Sequence, residues 1–266
     1  MTASHTAIAA AAAFAALSLG FAAPAHADSV VALIGGKTLA IVDPDSLKVT
    51  GKAEISGADA LVGIDVRPAD GMLYGVTAAG DIVTIDPSSG KATKRSTLSE
   101  KLPAGAKVTV DFNPMADRLR VMTDGGLSLR VNVDDGKATV DGAHKYAETD
   151  MHKGEKPNVV AGAYTNSLNG KKAKKTELFN IDATIPALVK QAPPNDGVLS
   201  AIGKIGVKPT GPVAFEIAAQ ADGTNAAWLM TGGELHSVDL KTGATKKAGA
   251  VEGAAEAIDI AWWPSK

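Results

Sequence analysis

Leu61-Val62-Gly63-Ile64-Asp65-Val66-Arg67, Pro68-Ala69-Asp70-Gly71, Met72-Leu73-Tyr74-Gly75-Val76-Thr77, Ala78-Ala79-Gly80, Ile82-Val83-Thr84-Ile85-Asp86, Pro87-Ser88-Ser89-Gly90, Lys91-Ala92-Thr93-Lys94-Arg95-Ser96-Thr97-Leu98: this stretch decides the fold. Short runs rich in β-branched residues alternate with Pro, Gly, Asp and Ser clusters, the punctuation of strands that reverse. Pro fixes the bend, Gly takes conformations that other residues resist, and Asp and Ser bond the local backbone. Four short antiparallel strands in succession form the blade of a β-propeller.

The unit recurs. A small residue, an apolar strand, Asp or Asn, a polar turn and a short Thr/Lys strand return roughly every 45 residues. The copies are Thr38–Pro44, Asp81–Pro87, Ser128–Asn132, Glu177–Asp182 and Glu234–Asp239. Further units are expected from Val108 to about Val140, from Val159 to Ile205 with the turn Pro193-Pro194-Asn195-Asp196-Gly197, and from Pro212 to Val251. A polar insertion, about Ala143 to Lys156, reads as a surface loop. The two ends complete each other. Ala257 to Trp263 is a first strand with no successor, while Val30 to Ile34, Leu39 to Asp43 and Lys48 to Ile55 lack a predecessor. Joining them closes the ring and removes an exposed edge. The expectation is an all-β propeller of five four-stranded blades, with the C-terminal strand closing the N-terminal blade. A count of six or seven blades is the alternative if units are merged. Trp262 and Trp263 read as packing at the closure.

The ends and the composition bound the function. Ala7 to Leu19 is a short apolar run followed by Ala25-His26-Ala27, the small-x-small pattern of a signal-peptidase site, although Met1 to Thr6 carries no Lys or Arg. We expect a leader over residues 1–27, a single propeller domain over 28–266, and export to the periplasm or beyond the cell. Removing 27 of the 266 residues leaves 239, enough for one core. The chain has no cysteine, so neither disulfides nor thiolate chemistry support it. The net charge of −2 and the single basic run Lys171-Lys172-Ala173-Lys174-Lys175 do not suggest nucleic-acid binding. No second apolar stretch is long enough to span a bilayer. A monomer is expected.

Acids recur at one place in the first strands: Asp65, Asp111, Glu216 and Asp259, with Ala163 in the fourth unit. First strands surround a propeller's axis, so these oxygens are candidates to converge on a hard cation such as calcium. Equally, each acid can bond backbone groups of the next blade. Either way, neighbouring carboxylates need a partner, a proton or an ion. Arg118, Arg120 and Arg130 alternate on strands, and Arg67 ends the analogous strand one blade earlier. Their guanidinium forks suit an anionic ligand or the neutralisation of the acid ring. Asn113, Arg118, Arg120, Asn166 and Asn195 are the candidate ligand-binding residues. His144, His152 and His236 are scattered, and neither a Gly-x-Ser-x-Gly nor a His-Glu-x-x-His motif occurs. No catalytic set can be named.

At Gly63-Ile64-Asp65-Val66-Arg67-Pro68 with Leu73-Tyr74-Gly75, Asp111-Phe112-Asn113-Pro114 with Asp117-Arg118-Leu119-Arg120-Val121, Ala163-Tyr164-Thr165-Asn166, and Gln191 to Gly197, the chain resembles the bacterial exported domain-of-unknown-function family 4394. The resemblance spans nearly all of the sequence after the leader and implies a propeller-like repeat protein. It supplies no catalytic residues. Ser167 and Val133 stand where that family often has Asn and Pro.

Three functions remain open. The first is a non-enzymatic exported propeller that binds a small ligand or protein. The second is a calcium-dependent lactonase- or esterase-like hydrolase. The third is a structural envelope protein.

Overall fold

The computed structural model describes residues 1, 28–209 and 211–264. The leader expected up to residue 27 therefore lies outside the described residues apart from residue 1. Strands β1 (Ser29–Ile34), β2 (Thr38–Val42) and β3 (Val49–Glu54) open the chain. Blade 1 is β4 (Leu61–Val66), β5 (Leu73–Thr77), β6 (Asp81–Ile85) and β7 (Ala92–Thr97). Blade 2 is β8 (Val108–Asn113), β9 (Arg118–Thr123), β10 (Ser128–Val131) and β11 (Ala138–Val140). After β12 (Lys145–Tyr146), blade 3 is β13 (Val159–Tyr164), β14 (Leu178–Asp182), β15 (Ala187–Gln191) and β16 (Val198–Lys204). Blade 4 is β17 (Val213–Ala219), β18 (Asn225–Thr231), β19 (Glu234–Val238) and β20 (Thr245–Ala250). Strand β21 (Ala257–Trp263) pairs antiparallel with β1, setting Val30 opposite Trp262 and Ala32 opposite Ile260, and so heads blade 5 in the order β21-β1-β2-β3. The five-blade ring closed by the C-terminal strand is thus the architecture.

Inner strands are buried along almost their whole length, whereas the outer strands β3, β7 and β20 are polar and largely exposed. That gradient explains why first strands read as apolar runs and fourth strands as Thr/Lys runs. Around the axis β4 packs on β8, β8 on β13, β13 on β17, β17 on β21 and β21 on β4. The core lies in the five seams between blades. Each seam receives the residue paired with the inner strand's acid position. These are Tyr74 opposite Asp65, Arg120 opposite Asp111, Phe179 opposite Ala163, Trp228 opposite Glu216 and Leu33 opposite Asp259. Tyr74, for example, meets Phe112 of blade 2 edge to face at 5.3 Å and 71°.

The Asp or Asn that ends the recurring phrase caps the following turn. Asp86 Oδ1 accepts the N–H of Ser88 at 2.9 Å, and Asp239 Oδ1 that of Lys241 at 2.7 Å. The turn glycine is required twice over: Gly136 has φ 75°, and a Cβ there would sit 1.9 Å from the Thr97 carbonyl oxygen of blade 1. Two details depart from the sequence reading. The copy Glu177–Asp182 falls on a second strand, β14, whereas the other four fall on third or equivalent strands β2, β6, β10 and β19. The insertion is also more than a surface loop. β12 pairs in parallel with β16, and buried Tyr146 donates its hydroxyl to Asp182 Oδ2 at 2.6 Å.

Candidate functional site

The two ends of the axis differ. Inward of the start of the inner strands, Asp65, Asp111, Glu216 and Asp259 are all buried. Asp65 accepts the N–H of Val66 and, across the seam, that of Phe112, both at 2.6 Å. Asp111 accepts from Tyr164 at 2.9 Å, and Asp259 from Ile64 at 3.0 Å. Glu216 accepts from Ile217 at 2.8 Å and from the Trp262 backbone. Each acid therefore fastens its blade to the next. Blade 3 carries Ala163 at this position, and its seam with blade 4 is instead bridged by Asn166 and Asn225. The Asn166 N–H donates to Asn225 Oδ1 at 2.8 Å, and Asn225 Nδ2 to Asn166 Oδ1 at 3.1 Å.

Asp65, Asp111 and Glu216 also converge, each offering an oxygen within 4.8 Å of the others, while Asp259 turns its Oδ2 to Ile64. Burial pushes Asp65 up to about 7, against the pull of its two N–H donors. Burial, with the charges of Asp65, Glu216 and Asp259, raises Asp111 well above the carboxylate range. Glu216 and Asp259 are raised in the same way, burial first. Such a cluster holds protons or a cation at neutral pH; three bare carboxylates at this spacing repel too strongly. The segment Ser167–Asn169 lies over Asp65 and Glu216, leaving beside these two about 30 Å³, room for one water or small cation. Gly170 donates to the Pro68 carbonyl at 2.8 Å and Ala173 to that of Pro114 at 3.2 Å, tying this segment over blades 1 and 2.

The opposite end is apolar. Val62, Val108, Val160, Val213 and Ile258, each the second or first residue of its inner strand, surround a hollow of about 490 Å³. Pro209, Pro212 and Ala106 extend the apolar wall, and Lys107 and Asn158 stand among the polar lining. Small-molecule sites are typically concave, mostly apolar spaces of about 300–1,000 Å³ with a few polar groups.

The family model described as "Domain of unknown function (DUF4394)" matches residues 38–261. The chain belongs to this family. A DUF4394 chain thus builds a five-bladed propeller, and solved structures share its fold. A protein of unknown function from Bacteroides thetaiotaomicron VPI-5482 matches with TM-score 0.53 at 14% identity, over 91% of this chain and 66% of that one. A chain of the nidogen/laminin complex matches with TM-score 0.51 at 8% identity, over 88% and 98%. A protein of unknown function from Bacteroides caccae matches with TM-score 0.45 at 14% identity, over 85% and 74%. For the first two, at these identities, the likeness is one of fold alone. No curated protein matches the chain.

The remaining DUF4394 residues singled out in the sequence meet internal partners away from the axis. Arg120 is fully buried and donates to Asp141, Asn195 Oδ1, Ser128 Oγ and Tyr164 Oη. Arg130 shares Asp141. Arg67 clasps Asp117 with two bonds, at 2.8 and 2.7 Å. The arginines therefore do not neutralise the acid ring; they pair with Asp117 and Asp141, off the axis. Asn113 Oδ1 caps its turn through Met115 and Ala116, both at 2.9 Å, and exposed Arg118 donates to the Asp117 carbonyl at 2.8 Å. The structure brings Arg120 and Asn195 together, joins Asn113 to Arg120 through the shared Tyr164 hydroxyl, and leaves Arg118 and Asn166 apart from them. Asp141, Asn225 and the apolar axial ring were missed in the sequence. The ring had a signal: a β-branched residue near the start of every first strand.

Proposed function

We propose that this chain is an exported binding protein without catalytic activity that acts as a monomer and seats a small apolar molecule at the apolar end of its axis. One observation carries the reading: five β-branched side chains, one from each blade, line a hollow of about 490 Å³. Lys107 and Asn158 beside it supply polar handles to orient a ligand with one acceptor group. Export rests on the apolar run Ala7–Leu19 and on Ala25-His26-Ala27. The location is the periplasm or the extracellular space.

A second reading belongs to Asp65, Asp111 and Glu216: a calcium ion held among them in a lactonase- or esterase-like centre. Calcium takes six to eight oxygens. The asparagines that such a centre would recruit use their oxygens elsewhere, Asn113 on its turn, Asn166 with Asn225 and Asn195 with Arg120. This favours binding over hydrolysis. Titration of the full chain with Nile red, an uncharged apolar fluorophore, tests the proposal. Saturable, one-to-one, blue-shifted emission is expected, weakened at least tenfold by Val160→Arg, with no turnover of ester or lactone substrates. Absence of saturable binding, or a Val160→Arg variant that binds like the parent, refutes it.

A further inference from the structure

A cavity of about 440 Å³ opens at the seam between blades 5 and 1, at the end where the third-to-fourth-strand turns lie. Its apolar walls are Val31, Ile41, Pro87 and Trp263.

Among the described residues the rim has one sign of charge: Asp28, Asp43 and Asp86 line the cavity, and no Lys, Arg or His does. Turn hydrogen bonds hold Asp43 and Asp86 below the usual carboxylate range, from the Ser46 N–H first for Asp43 and from the Ser88 hydroxyl first for Asp86. Both are therefore anions at neutral pH. Carboxylates around low-dielectric walls focus a negative potential on the space between them. An indole in the wall adds a favourable surface for a cation.

We infer that this seam is a binding site for an organic cation with an apolar body, such as an aromatic or aliphatic amine. The ammonium sits between Asp43 and Asp86, and the body lies on Val31, Ile41 and Trp263. The site is separate from the apolar end of the axis, so either can fail without the other.

Calorimetric titration of the full chain with benzylamine, benzyl alcohol and benzoate at pH 7 tests it, since the three share a ring and differ in charge. Benzylamine is expected to bind at least tenfold more tightly than benzyl alcohol, and benzoate to give no heat. Asp43→Asn with Asp86→Asn keeps the Oδ1 acceptors that cap the turns while removing two charges. That double variant should lose the preference for the amine to within about twofold. Ile41→Phe, which fills the cavity, should lose both ligands. No binding of benzylamine, equal affinity for amine and alcohol, or an unchanged preference in the double Asn variant overturns the inference.

Discussion

Replacing Asp65 by Asn should flatten the pH dependence of stability. In the folded chain burial holds the Asp65 carboxyl at about 7 against an ordinary value of 3.8. A group whose pKa is raised by folding gives stability that is whole below the ordinary value and disappears as pH rises through the folded one. The window is therefore pH 4 to 7, and the direction is loss of stability with rising pH. About three pH units at about 1.4 kcal/mol each amount to roughly 4 kcal/mol. Asp65 also raises Asp111 and Glu216 through its charge, so its removal relieves them as well. Other groups titrate in the opposite sense, His144 among them, held down to about 4 by burial. The parent-minus-variant difference cancels those. Urea unfolding at pH 4, 6 and 8 measures it. Asn leaves one N–H of the pair Val66 and Phe112 without an acceptor, so the variant is expected to be less stable at pH 4 and to approach or exceed the parent at pH 8. A difference between parent and variant that does not change with pH would refute the reasoning.

Other expectations follow from the same geometry. Arg120→Met should cost about 3–5 kcal/mol, because it takes the buried partner from Asp141 and leaves Arg130 alone on that carboxylate; chemical denaturation reads this out. Gly136→Ala should cost at least about 2 kcal/mol through its positive φ and the Thr97 carbonyl in its way, measured the same way. Asn225→Ala should cost about 1–2 kcal/mol by opening the blade 3 to blade 4 bridge, with faster amide exchange at Asn166. Millimolar calcium added after chelation should leave the melting temperature unchanged; a clear rise, by mass action, would instead favour the cation reading of Asp65, Asp111 and Glu216.

The fold was legible because its signals are local. Strand alternation, Gly/Pro turns and the repeated Asp cap each act within a few residues, and the incomplete ends demanded each other. The acid ring was legible in position, since equivalent places on equivalent strands must share a height. Its bonding was not, because seam contacts such as Asp65 to Phe112 depend on how blades are rotated against one another. The arginines show the same limit. Alternation puts Arg120 and Arg130 on one face, and both do reach Asp141, but nothing local says that this face looks into a seam and away from the axis. Tyr146 was hidden by its polar surroundings and by a two-residue strand too short to show a period.

The most direct test of the central claim is methyl NMR of the full chain during titration with an uncharged apolar ligand such as Nile red. The account predicts saturable shifts shared by the methyls of Val62, Val108, Val160, Val213 and Ile258, with those of Val31 and Ile41 in the separate seam unmoved. Shifts confined to other methyls, or none at saturating ligand, would contradict it.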